Sequence, residues 1–289
     1  MTGRQAPPRD DRVLFATRAL SIAIIPFLLV AFVVLFFAPT DTGRWFAWTI
    51  KPSLTPMLLG SVYLGGAYFF ARAARATQWH RIKGGFIPVA TFASLMGIAT
   101  LLHWEKFNHD HVAFWLWAGL YFTTPFLVAG VYLANRRYDA PGGGGQLSPP
   151  LRGAIAAVGV LAAGTSALLF LAPARAIEIW PWLLTPLTAR VMGAIFALGI
   201  AAIGVLLESR RSSTLLMVEV ASVMLVLIAI GAFRGRRDVD ESRPLSWMFG
   251  VGFIAVITCC LAMLLGERRR GRSAGTNVGN SRSERTHRA

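Results

Sequence analysis

Eight stretches of this chain run for about 19 to 23 residues with almost no charge, and no other feature of the sequence limits its fold so severely. They cover residues 19–38, 54–73, 84–102, 112–134, 153–172, 188–207, 214–233 and 245–266. At a rise of 1.5 Å per residue, about 20 helical residues cross a hydrocarbon core of about 30 Å. Lipid offers the backbone no hydrogen-bond partner, so each stretch must satisfy its own N–H and C=O groups as a helix. The expected fold is all-α, a polytopic membrane protein with eight transmembrane helices. Composition agrees: 55% of the 289 residues are hydrophobic and 15% charged, too apolar for one or two soluble domains.

The basic residues assign the sides. Of the 29 Lys and Arg, 20 fall in the N-terminal segment, the loop 72–83, the linker 135–152, the loop 208–213 and the tail; 9 fall on the other side. The positive-inside rule then puts both termini in the cytoplasm. The basic outer loop from Arg234 to Arg243 is the local exception. The net charge of +15 is thereby spent on topology and on attraction to anionic lipid heads. Nucleic acid is excluded as a partner, because the basic tail ERRRGRSAGTNVGNSRSERTHRA has no aromatic interleaving and no base-reading motif.

The chain says nearly the same thing twice. LFFAP at 35–39 matches LFLAP at 169–173, Trp48 matches Trp182 and Pro52 matches Pro186, all 134 residues apart. Gly60 and Gly66 match Gly193 and Gly199 at a spacing of 133, and Trp115 matches Trp247 at 132. So small a drift over four spans predicts a duplicated four-helix unit. Four is even, so the two copies share one orientation, related by a pseudo-twofold axis along the membrane normal. The expected organisation is an N-terminal cytoplasmic segment 1–18, membrane repeats 19–134 and 153–266, a Gly/Pro-rich linker 135–152 containing YDAPGGGGQLSPP, and a basic tail 267–289. The first span counts as retained, since its counterpart, the fifth, cannot be a signal peptide.

Within that frame, the outer loop of each copy carries two tryptophans, Trp45 and Trp48, then Trp180 and Trp182. Indoles prefer the headgroup level, so these read as interfacial anchors, followed by the Thr55-Pro56 and Thr185-Pro186 pairs as helix starts. The alternative is a short segment lining an outward cavity. The loop HWEKFNHDH holds His103, His109 and His111 as candidate metal ligands with Glu105 and Asp110 beside them, although the spacing fits no standard zinc signature. Glu219 is the one acidic residue well inside a span. Such a carboxylate is either functional or tolerated near the interface by pairing with Arg210 or Arg211. Gly193, Ala197 and Ala201 form a small face on the sixth span. His80 and Trp79 read as interfacial, Pro26, Pro88 and Pro125 as prolines inside spans, and Cys259 and Cys260 as packing residues. Phosphate loops, HExxH and nucleophile elbows do not occur.

The phrases WPWLLTPLTAR at 180–190 and LLHWEKFNHDHVAFW at 101–115 resemble a group of uncharacterised multi-span membrane proteins of high-GC bacteria. The resemblance covers most of the membrane region and implies the topology, but no activity. The Arg-rich usage fits such a genome and a place in the bacterial inner membrane. Three functional classes follow. The first is a non-enzymatic subunit or sensor, which needs no cofactor and leaves room for a protein partner or an oligomer. The second is a small-molecule or lipid transporter working at the interface between repeats. The third is a metal protein or enzyme using the loop 103–111.

Overall fold

The computed structural model describes residues 9–140, 145–247, 250–252, 254 and 256–258. Among these the chain is helical, with no named strand and three isolated bridges. In order come α1 (Phe15–Phe37), α2 (Thr42–Trp45), α3 (Leu54–Arg75), α4 (Phe86–Leu102), α5 (Val112–Asn135), α6 (Pro149–Leu171), α7 (Pro173–Ile179), α8 (Pro186–Ala197), α9 (Ile200–Ile203) and α10 (Arg211–Arg234). Seven helical stretches among the described residues are long and apolar enough to cross a membrane, the sixth being α8, α9 and a 3-10 turn end to end. The eighth expected span begins as the shorter apolar helix Pro244–Thr258. Its continuation with Cys259 and Cys260, the tail, and linker residues 141–144 lie outside the described residues.

The most enclosed helix is α3, whose apolar window is 78% buried, against 17% for α10. It packs on α1 and on α10, and it touches α8. In turn α8 packs on α6 and on α4, which also pairs with α5. The outward faces stay apolar, with Val30, Val33, Phe126, Leu127, Val160 and Leu161 exposed. Such a surface is stable when hydrocarbon is the solvent, because burying it elsewhere gains nothing.

Several contacts recur at the spacing seen in the sequence. Asn108 N donates to Ala47 O at 2.9 Å, and Asp240 N donates to Pro181 O at 2.8 Å. Lys106 N donates to His103 O as Asp238 N does to Gly235 O, and Phe46 N to Thr42 O as Trp180 N to Ala176 O. The bridge Arg12 to Gln78 has its counterpart in Gln146 to Arg210. A methyl group on Gly60 would stand 3.2 Å from Phe36 Cβ, and one on Gly193 3.1 Å from Phe170 Cβ. In both places the absence of a side chain lets the first two spans of a hairpin approach backbone to backbone.

Other features do not recur at that spacing. The sixth span breaks at Leu198 and Gly199, where bonds to the residue three back replace the α-helical pattern. A Cβ on Gly199 would meet Ala162 Cβ at 2.5 Å, and one on Gly159 would meet Ile203 N at 2.8 Å. This crossing of α6 needs glycine on both sides. Pro26 and Pro125 do lie inside helices, whereas Pro88 sits in the first turn of α4, where the missing N–H costs no intrahelical bond.

Candidate functional site

The segments 38–53 and 172–185 fold back over the helix ends, and this decides where the tryptophans go. Trp45 is half-exposed, with the Arg44 guanidinium 4.7 Å above its ring. Trp48, Trp180 and Trp182 are buried instead of facing headgroups. Trp48 packs among Phe46, Phe107 and Trp117, and Trp182 Nε1 donates to Thr55 Oγ1 at 2.9 Å across the two parts of the chain. Thr185 caps α8 as expected, in a reciprocal box with Thr188. At α3 the expectation fails: the helix starts before Thr55, and Asp238 Oδ2 accepts from Ser53 Oγ at 2.8 Å and Leu54 N at 2.9 Å.

The three histidines are held apart by separate tasks. His103 Nε2 accepts from the Arg190 guanidinium at 2.6 Å. Burial, then the charges of Arg190 and Lys106, hold this imidazole below its ordinary value of 6.5, in the neutral form that can accept. His111 Nδ1 accepts from Ala113 N at the start of α5. His109 packs its ring on Phe114 and Trp104. Among the described residues no group of three or more His, Cys, Asp or Glu could hold a metal ion. His103, His109 and His111 thus stand in separate surroundings: one pairs with an arginine, one caps a helix, one fills the aromatic packing.

Glu219 is paired, but with α3 and not with Arg210 or Arg211. Its carboxylate accepts from Tyr68 Oη at 2.9 Å and forms an ion pair with Arg72, which also donates to Tyr68 Oη. This triad ties α3 to α10. At the same end of the bundle, Trp79 and His80 are buried, not interfacial, because residues 9–14 lie across them. Asp11 meets His80 Nδ1 at 2.5 Å and accepts from His80 N. Lys83 bridges Asp139 and Glu208, drawing the loops of the two parts together.

Between these two polar ends lies a cavity of about 320 Å³. Every membrane helix from α1 to α10 contributes to its wall, with Ile24, Leu28, Val62, Phe69, Met217 and Met224 representative. The break at Leu198 and Gly199 forms part of it. No charged residue lines it, and its polar residues are Tyr63, Tyr121, Thr124 and Thr214. Tyr63 and Tyr121 are 2% and 3% exposed, and their hydroxyls meet at 2.7 Å. Such walls suit an uncharged, largely apolar molecule, since an ion would lose its hydration with nothing in return.

Motif scanning overlooks this place because an apolar cavity leaves no motif. A fainter signal exists: the chain uses 19 phenylalanines and 5 tyrosines, so a tyrosine in mid-span marks a hydroxyl with work to do. No family model, no curated protein and no solved structure matches this chain.

Proposed function

We propose that this is a non-enzymatic integral protein of a bacterial inner membrane, built from two parallel four-helix units, with both termini in the cytoplasm. Its working part is the cavity between the units, which takes up a small apolar molecule from the bilayer and reports its presence to a partner or to the cytoplasmic loops. The observation that carries this reading is the cavity itself, walled from both parts of the chain and free of charge along its lining. Volumes from about 300 Å³ upward are typical of small-molecule sites.

The duplicated architecture is supported by the recurring hydrogen bonds and by the exchange of partners, α3 with α10 and α8 with α4, that an axis along the membrane normal requires. The orientation is supported by what the outer arginines do. Arg234 donates to Phe36 O, the end of α1, and Arg243 to Ile177 O and Trp180 O at the end of α7. Cations at helix C-termini have a structural reason to be there, so the basic outer loop weakens the positive-inside argument less than its charge suggests.

A second reading, transport through the same cavity, is favoured by the broken sixth span. Discontinuous helices beside an intramembrane cavity are a recurrent transporter feature. Native mass spectrometry of protein taken from its own membrane tests occupancy: a discrete apolar adduct supports ligand binding. Substrate-dependent flux in liposomes separates transport from sensing.

A further inference from the structure

The hydroxyls of Tyr63 and Tyr121 contain two O–H donors, and their mutual bond uses one. Neither residue has another hydrogen-bond acceptor among the described residues, and both are more than nine-tenths buried. One phenolic hydrogen is thus left in an apolar space, where an unmade bond costs about 1–3 kcal/mol. Phenylalanine at either position would remove that cost, and the chain uses phenylalanine freely elsewhere. Nearby polar groups are already engaged: Trp117, whose ring lies 4.4 Å from Tyr121, donates its Nε1–H to Thr100 Oγ1.

The geometry points to an uncharged ligand with an apolar body and a carbonyl oxygen, held by a hydrogen bond from the Tyr63–Tyr121 pair. The proposal rests on the cavity reading above and names its ligand class. A carboxylate is disfavoured because no lysine, arginine or histidine lines the cavity to neutralise it. A pure hydrocarbon leaves the phenolic hydrogen unused. A carbonyl satisfies it, and its acceptance polarises the first hydroxyl, strengthening the bond inside the pair. In a bilayer this chemistry comes from two sources, a quinone ring or an acyl ester.

The test uses the full chain in mild detergent, with binding titrated by native mass spectrometry. The probes are decylubiquinone, dioctanoylglycerol and, as a control without oxygen, decylbenzene. Tyr63→Phe and Tyr121→Phe each leave one hydroxyl that needs no phenol partner, so each single variant keeps carbonyl binding within a few-fold. The double variant removes the donor and weakens the carbonyl probe by about tenfold, the equivalent of 1.4 kcal/mol, while decylbenzene binding stays unchanged and reports that the double variant is folded. The tighter of the two carbonyl probes identifies the source. Equal binding of the carbonyl probes to wild type and double variant overturns the proposal, as does an equal loss of decylbenzene. If decylbenzene binds wild type and neither carbonyl probe binds better, the cavity stands and the carbonyl assignment falls. If no probe binds wild type, the cavity reading itself fails.

Discussion

Asp238 reaches from the loop after α10 to the first turn of α3, and its carboxylate takes two donors there, Ser53 Oγ and Leu54 N. A negative charge at a helix N-terminus also meets the positive end of the helix dipole. Asp238→Ala is expected to destabilise the protein by about 1–2 kcal/mol, measured as a lower midpoint of thermal unfolding in detergent. His103 makes stability depend on pH. Its folded-state value lies below 6.5, so as pH falls through 6.5 the unfolded chain takes up a proton that the folded chain refuses. Stability therefore declines below pH 6.5 and levels off once the folded form also protonates. His103→Gln keeps an acceptor for Arg190 and removes this part of the slope, which unfolding midpoints between pH 5 and 8 will show. Neither role is legible from the sequence. HWEKFNHDH offers three imidazoles in nine residues, but the partner that decides His103, Arg190, lies 87 residues on.

At the scale of elements, the spans were written plainly in the sequence because lipid forces long apolar runs to be helices. Breaks and crossings were not, since they depend on what lies opposite. The run 188–207 reads as one helix, yet Gly199 meets α6 at Gly159 and the helix interrupts there. Gly199→Val is expected to push α6 away and destabilise by about 1–3 kcal/mol, accompanied by weaker binding of an apolar probe such as decylbenzene. The triad of Glu219, Tyr68 and Arg72 calls for a milder outcome. With the Arg72 and Glu219 side chains 46% and 31% exposed, the pair is screened, and Glu219→Gln should cost less than about 1 kcal/mol. The double variant Arg72→Gln/Glu219→Gln should be no worse than either single one in thermal unfolding. A larger loss confined to Glu219→Gln, with ligand binding affected, would return that carboxylate to a functional role.

At the scale of the whole molecule, the sequence matches spaced 132 to 134 residues apart were the most suggestive feature, and hydrogen bonds such as Asn108 to Ala47 and Asp240 to Pro181 recur at that spacing. The cavity was invisible to that reading, because its residues come from helices spread along the chain and only their sum is empty of charge. Since α3 packs on α10 and α4 on α8, halves divided within the linker and co-expressed should co-purify, and either half alone should fail to accumulate. The central claim, that the space between the halves holds an apolar molecule, is tested most directly by native mass spectrometry of the full chain extracted from its own membrane. The account predicts a discrete adduct of fixed mass, carried by the wild type and lost from Ala202→Phe, which fills the cavity wall at a lining residue. Wild-type protein at its bare mass under the mildest release, or an adduct that survives Ala202→Phe undiminished, would contradict it.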